Sequence, residues 1–371
     1  MSVDTREKKI LHVLGTLNPS GAETMLASAT GKWQGYQSYI LATNQELGPF
    51  SNRLEECGYS IQHIWDKNFL IKHRTIISFI KKEKFDVVHV HTEKQRLFYI
   101  TDAFLGGTSR IVSTIHNCFL FEGVLRIRRV ITRWIGKFFG VKYVAISKAV
   151  ADNELERFHN RCECIVNNWC DESRYKLINK NERKEARNAL GILDDQFVIV
   201  MVGNCNGFKN HLMMIQAFDR FLNSTAADSV LFHIGKESEE YACEREYVGQ
   251  HGLQNRVVFC GQQVPDIYYK ACDLYMMCST IEGFGISALE AMACGLPVLL
   301  SNQSGLADFK CIQSRNVNHT ELTIEDVAEA IDTQYKCFER NHWQIDEEEA
   351  VQAHQIYGVE QGVKEYLDVY E

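Results

Sequence analysis

The chain has 371 residues, 45% of them hydrophobic and 24% charged, with a formal net charge of −8. This is too long for a single hydrophobic core and describes an ordinary globular protein of two domains, neither disordered nor fibrous. The charge is uneven, 23 Lys and Arg against 16 Asp and Glu in residues 1–170 but 17 against 32 in residues 171–371; a net-acidic molecule of this kind is no general nucleic-acid binder, although its basic half can face an anionic surface.

From the N-terminus, Lys9 to Leu14 reads as a buried strand, and Gly15, Pro19 and Gly21 in GTLNPSGAETML make a loop that opens a helix at Gly21. Tyr39 to Thr43 is a second strand, after which helical and strand patterns alternate, the mark of an α/β chain with a parallel sheet. Phe85 to His91 (FDVVHVH) is a central strand that sets His89 and His91 on one face. Two imidazoles so placed can share a metal ion, but no third ligand is evident, and a hydrogen-bonded structural role is the expectation. Ile111 to Ile115 is a further strand, with His116-Asn117 at its carboxyl end, where ligands gather in open α/β sheets. Between Glu122 and Phe139, helical spacing lines up Arg126, Arg129, Arg133 and Lys137 in one stripe, with Ile127, Ile131, Trp134 and Phe138 in an apolar stripe beside it. A basic amphipathic helix with aromatics can lie on anionic lipid. As an ordinary core helix it would bury the apolar stripe and leave the basic one in solvent.

Asp171 to Gly191, rich in Lys, Arg, Glu and Asn, reads as a linker and a charged helix, and a second α/β unit begins with the strand Phe197 to Val202. The loop GNCNGFKNH follows, then strands Val230–Ile234 and Val257–Phe259, which end at Gly235 and Gly261. Leu274 to Cys278 is another buried strand; a turn with Gly283 and Gly285 leads from it into a helix from about Ile286 to Cys294. Strand, glycine turn and helix N-terminus make an anion site, because free backbone N–H groups point outward and the helix dipole adds positive potential. Two carboxylates flank it, Glu282 in the turn and Glu290, the only charge on an otherwise apolar helix. Val298 to Leu300 is the next strand, Thr323 to Ile331 a helix, and Ala350 to Tyr370 one long helix or two short ones. Gly283, Gly285 and Ala288 also spell G-x-G-x-x-A after a strand, so a dinucleotide-binding oxidoreductase stands as an alternative, although such fingerprints usually open a chain.

EGFGISALEAMACGLPV, with seven residues between Glu282 and Glu290, resembles the signature of the retaining glycosyltransferases of family four, and the DVVHVH strand is similar to one common in that family. The resemblance covers most of the chain, its specific part lying between Val202 and Pro297. It implies an α/β protein of GT-B fold, two Rossmann-like domains facing a central cleft: residues 1–170 for the acceptor, 171–349 for a nucleotide-sugar donor, and a C-terminal helix over 350–371 crossing back to the first domain. Carried over, Glu290 holds the ribose hydroxyls and Glu282 those of the transferred sugar. Lys209 and the backbone of Gly283, Phe284, Gly285 and Ile286 hold the diphosphate. Gly203 and Asn204 open the phosphate loop, Gly21 brings the first loop close to the diphosphate, Gly261 and Gln262 run beside the nucleobase, and His116 contacts the transferred sugar or acceptor. His116, Lys209 and Glu282 form the catalytic set.

The implied activity moves a hexose or N-acetylhexosamine, preferably from a UDP-sugar, to a saccharide or lipid-linked saccharide in capsule, O-antigen or exopolysaccharide synthesis, with the donor's anomeric configuration retained. No cofactor or metal is expected, since the chain has no Asp-x-Asp triplet to hold a cation. The chain also departs from the family. Asn204 stands where an Arg is usual, Trp169 follows CIVNN in place of an Asn-Gly pair, only half of a glycine pair remains at Ser20-Gly21, and SNQSGLADF lacks a Glu for which Asp308 is a loose stand-in. Asn204 keeps open a non-catalytic partner subunit with a decayed donor site. Thirteen scattered cysteines, with Cys162 and Cys164 as a lone C-x-C, fit reduced thiols better than a zinc site. The polar N-terminus MSVDTREKKI and the lack of a long apolar run point to a cytoplasmic protein, peripheral at the inner face of the membrane if residues 122–139 meet lipid.

Overall fold

In the computed structural model, which describes residues 7–236, 241–343 and 345–371, the chain divides into two compact units: residues 1–169 with 359–371, and residues 170–358. The first unit alternates β1 (Lys8–Leu14), α1 (Gly21–Ser28), β2 (Tyr36–Ala42), α2 (Ser51–Glu56), β3 (Ser60–His63), α3 (Phe69–Glu83), β4 (Val87–Val90), α4 (Arg96–Leu105), β5 (Arg110–Ile115), α5 (Gly123–Phe138), β6 (Lys142–Ala145), α6 (Lys148–Phe158) and β7 (Cys164–Ile165). Its seven strands pair in parallel in the order β3-β2-β1-β4-β5-β6-β7. The order reverses between β1 and β4, the place where such sheets bind ligands. Two of its helices begin at capping side chains: Asn68 accepts from the Leu70 and Ile71 amides at the start of α3, and Ser147 from the Val150 amide at the start of α6.

The second unit holds α7 (Lys180–Leu190), β8 (Phe197–Val202), α8 (His211–Ser224), β9 (Ser229–Ile234), α9 (Tyr241–Gln250), β10 (Val257–Phe259), α10 (Asp266–Ala271), β11 (Leu274–Met277), α11 (Ile286–Ala293), β12 (Val298–Ser301), a 3₁₀ segment at Ser304–Cys311, β13 (Val317–Thr320), α12 (Ile324–Asn341) and α13 (Glu347–Tyr357). Its sheet, also parallel, runs β10-β9-β8-β11-β12-β13, with its reversal between β8 and β11. A buried ion cluster ties α7 to this sheet. Asp273 accepts from Arg183 at 2.5 Å, Arg187 at 3.3 Å and the Val198 amide at 2.9 Å. The last helix, α14 (Val359–Tyr370), belongs to the first unit, where its Tyr370 hydroxyl lies 2.7 Å from His89 Nδ1. The sequence boundary at 350 therefore falls inside α13, which stays with the second unit; the break comes at Gly358, where a Cβ would meet the Glu172 carboxylate and the His354 carbonyl.

One departure from the family pattern and one from the sequence expectation have local explanations. Trp169 is buried in the first unit, its indole N–H 3.1 Å from the Met25 carbonyl, and a Cβ on Gly362 of α14 would strike its ring at 2.2 Å. The middle of the basic helix departs from the sequence expectation and faces inward, while Arg126 and Lys137 at its ends stay exposed. Arg133, at 1% exposure, is clamped between Glu93 and Glu154 by bonds of 3.0–3.1 Å, and Arg129 lies 3.3 Å from Glu93. Two charged bonds in a dry site outweigh burial of a few apolar side chains, so the apolar stripe faces out, with Trp134 62% and Phe138 87% exposed. Among the described residues no helix is long and apolar enough to cross a membrane.

Candidate active site

At the reversal of the second sheet, the loops after β8 and β11 are joined. The Phe208 carbonyl accepts from the Thr280 amide at 2.8 Å, and the Asn210 side chain donates to the Cys278 carbonyl at 3.3 Å. The first loop delivers Lys209, whose amide bonds the Asn206 carbonyl at 3.0 Å. The second delivers Glu282, whose own carbonyl accepts from Gly305 at 3.0 Å. The two side chains form an ion pair, each partly exposed. An ammonium and a carboxylate paired at a helix N-terminus offer a phosphate donor set and a hydroxyl acceptor side by side.

Glycines shape this floor by close approach. Gly285 caps α11 with φ +95°, and a Cβ there would lie 2.6 Å from Leu306. A Cβ on Gly235 would fall 1.8 Å from the Gly203 carbonyl, so only glycine lets the carboxyl ends of β8 and β9 meet. Gly261, at the end of β10, accepts from the Gly235 amide at 2.9 Å, and Gln262 is exposed. Phe284 presents backbone only: its ring is buried against Phe309 and Tyr357 at centroid distances of 5.1 and 5.2 Å. Asn204 Oδ1 accepts from the Lys236 amide at 2.9 Å, which places an exposed cation that sequence spacing does not flag next to the neutral residue.

Glu290 lies on the buried side of α11, with the Tyr269 hydroxyl 3.0 Å from its Oε2. Burial pushes its carboxyl up to about 7, against the Tyr269 hydrogen bond and the Arg174 charge. Tyr269, Tyr175 and Arg174 lie 21, 115 and 116 residues before Glu290, in no simple spacing, and are not recoverable from sequence as its neighbours.

In the first unit, Gly21 opens α1 behind Ser20, whose hydroxyl bonds the buried Glu23. His116, half-buried just after β5, ends a file of imidazoles: His12 Nδ1 and His91 Nε2 lie 3.0 Å apart, and His91 Nδ1 and His116 Nε2 3.2 Å. His12, on β1, is the third imidazole that sequence reading did not find. His89 is held instead by Tyr370 and Thr114, each at 2.7 Å. Burial, with Arg96 beside it, lowers His116 to about 3, so it is a neutral hydrogen-bonding group at physiological pH. A recess of about 420 Å³ opens at the carboxyl ends of β1, β2 and β4, lined by Thr16, Asn44, Lys72, Lys94 and Gln95 among others.

Comparison with known proteins finds relatives for both units. Residues 182–346 match the family described as Glycosyl transferases group 1, and residues 25–169 match Glycosyltransferase Family 4. The chain is 28% identical over 277 residues, 70% of each sequence, to a UDP-Gal:alpha-D-GlcNAc-diphosphoundecaprenol alpha-1,3-galactosyltransferase of Escherichia coli. It is 25% identical over 237 residues to an N-acetyl-alpha-D-glucosaminyl L-malate synthase of Bacillus anthracis, spanning 59% of that protein's length. Its fold matches that of Anabaena HepE, a structure in complex with UDP and glucose, with a TM-score of 0.80 at 20% identity over 97% of this chain and 99% of that one. With two parallel-sheet Rossmann-like units each matched by its own glycosyltransferase family, the chain belongs to the family-four glycosyltransferases of GT-B fold.

Proposed function

We propose that the protein transfers a hexosyl or N-acetylhexosaminyl group from a nucleotide sugar, a UDP-sugar in preference, to a saccharide or lipid-linked saccharide acceptor in bacterial polysaccharide synthesis. The observation that carries this is the Lys209–Glu282 pair at the N-terminus of α11, with Glu290 on the same helix, at the reversal of the second sheet. Lys209 and the amides at Gly283 to Ile286 take the diphosphate, Glu282 the sugar hydroxyls and Glu290 the ribose. The first unit binds the acceptor, its polar recess and His116 lying at strand carboxyl ends. A lipid-diphosphate acceptor is supported by the substrate named for the Escherichia coli relative. The sugar's C1–O bond to the diphosphate breaks, the acceptor oxygen bonds C1 from the same face, and its proton passes to the departing phosphate. Fixed positive groups stabilise that leaving charge, so no cation is required there.

The test is a panel of UDP- and GDP-sugars with a lipid-diphosphate-linked sugar acceptor, the product anomer read by NMR. The expected outcome is transfer with retention, at a rate that added magnesium or manganese leaves unchanged. An inverted product, or strict dependence on manganese, contradicts the mechanism. Binding without turnover would favour the partner-subunit reading that Asn204 keeps open.

Glu290 gives this site a pH dependence. A carboxylate accepts from ribose hydroxyls; a carboxylic acid does so poorly. With its carboxyl raised to about 7, affinity for a UDP-sugar should fall as pH drops below that value, by at most about tenfold per pH unit. Such a donor keeps its own phosphate charge throughout that range. Stability runs the other way: the proton is held more tightly in the folded chain, so this stabilisation is complete below 4.5 and is lost as pH rises through about 7. Glu290→Gln should flatten both profiles in calorimetric titrations; a profile that persists in the variant assigns it to another group.

Residues 122–139 are read as a contact with anionic membrane, made through the apolar face of α5 rather than its buried arginines. Trp134 and Phe138 would enter the interface, with exposed Arg126, Arg128 and Lys137 over the headgroups. Losing an apolar side chain from the interface costs about 1.5–3 kcal/mol, so Trp134→Ala with Phe138→Ala should weaken binding to phosphatidylglycerol vesicles by at least roughly 100-fold. Wild-type protein that ignores such vesicles at low salt contradicts the assignment.

A further inference from the structure

Beside the phosphate loop lies a second cluster that the transfer reaction does not use. Cys205 follows β8, His211 opens α8, His233 sits in β9 and Glu244 in α9, and all four side chains are buried. One ligand atom from each, a sulfur, two nitrogens and a carboxylate oxygen, gathers within 4.8 Å of the others. The individual separations are 3.1 Å for His233 Nε2 to His211 Nδ1, 3.6 Å for Cys205 Sγ to His233 Nε2, 3.7 Å for Cys205 Sγ to Glu244 Oε2 and 3.6 Å for His211 Nδ1 to Glu244 Oε1.

These lengths can be set against a tetrahedral zinc site. With zinc–nitrogen, zinc–oxygen and zinc–sulfur bonds of about 2.0–2.3 Å, the edges of such a site are about 3.3 Å between nitrogens, about 3.3 Å between nitrogen and oxygen, and about 3.6 Å from sulfur to nitrogen or oxygen. The nitrogen–nitrogen and sulfur–nitrogen edges are within a few tenths of an ångström of these, and the two Glu244 oxygens lie 3.7 Å from the sulfur (Oε2) and 3.6 Å from the His211 nitrogen (Oε1), so a small rotation of the carboxylate brings one oxygen into the fourth position. The charges also balance: a thiolate and a carboxylate together offset a divalent cation in a dry site where each alone would be costly.

We propose that Cys205, His211, His233 and Glu244 bind one structural zinc ion. Four protein ligands from four different elements close the coordination sphere and leave no open position for water or substrate, which separates it from catalytic zinc. Mixed sulfur, imidazole and carboxylate donors select zinc over magnesium or calcium, which require oxygen ligands. The consequence is mechanical. Cys205 and His211 bracket residues 206–210, so the ion would hold both ends of the loop that carries Lys209, and a Cβ at Gly203 would already lie 3.6 Å from the His211 ring.

The experiment is zinc quantification on the purified full-length protein, stripped with a strong chelator and reloaded with zinc alone. The expected result is one zinc per chain and a higher melting temperature on reloading. Cys205→Ser should lose the metal and the shift, whereas Cys243→Ser, an exposed cysteine outside the cluster, should keep both. Should Cys205→Ser fail to fold, X-ray absorption on the wild-type zinc form decides, with one sulfur and three nitrogen or oxygen neighbours expected. A first shell of several sulfurs, zinc retained at full stoichiometry in a folded Cys205→Ser, or no zinc taken up by wild type overturns the assignment.

Discussion

Lys209→Ala should lower kcat for sugar transfer by about 10²–10³-fold, the loss seen when one preorganised donor is removed from developing negative charge. The expectation is at the high end because the position where the family has an Arg is Asn204, whose side-chain oxygen is occupied by the Lys236 amide. Removing Lys209 also leaves the Glu282 carboxylate at the helix N-terminus without its cation partner there, facing the diphosphate. kcat and kcat/KM should fall together, since the interaction strengthens as charge develops on the leaving group. Lys209→Arg should recover part of the rate. A Lys209→Ala enzyme within about threefold of wild type would move the catalytic cation elsewhere, with exposed Lys236 the next residue to replace.

Asp273→Ala should destabilise the second unit by about 3–5 kcal/mol, the range for removing one partner from a buried ion cluster. Burial alone pushes this carboxyl up, while Arg183 and Arg187 work against that shift. Without it, two buried guanidiniums lose their counter-charge and the Val198 amide loses its acceptor. Asp273→Asn keeps hydrogen-bonding capacity without the charge and should fall between the two. Urea unfolding followed by circular dichroism measures this; a loss under about 1 kcal/mol, below even the cost of one unsatisfied buried polar group, would mean that water or a rearranged Arg183 replaces the carboxylate.

Local spacing made part of this architecture legible. The turn at Gly283 to Gly285 and the helix carrying Glu290 are written in one continuous stretch, so strand, turn and helix follow from residues that are neighbours in sequence. Lys209 was legible through the family resemblance, as the Lys six residues after Gly203 in the loop that follows an apolar strand. What sequence could not give was decided by partners far along the chain. Periodicity showed that α5 has a basic and an apolar stripe, but its facing was decided by Glu93 and Glu154, 40 and 21 residues from Arg133. The imidazole file needed His12, 79 residues before His91. The cysteine–histidine–glutamate cluster draws on a loop, two helices and a strand, with spacings that match no metal motif, and Cys205 read on its own is one of thirteen cysteines. The end of the chain shows the opposite failure. Ala350 to Tyr370 has helical periodicity throughout, yet Gly358 splits it between two units.

The central claim is that a nucleotide-sugar donor is held by the Lys209–Glu282–Glu290 constellation, and calorimetric titration of UDP, GDP and NAD into wild type and Glu290→Ala tests it most directly. A carboxylate accepting ribose hydroxyls contributes about 1.5–3 kcal/mol. The account therefore predicts that a nucleoside diphosphate binds wild type, that NAD does not compete with it, and that Glu290→Ala weakens the nucleotide by roughly 10–100-fold. Binding of NAD in preference to UDP and GDP, or the same UDP and GDP affinity in Glu290→Ala as in wild type, would contradict it.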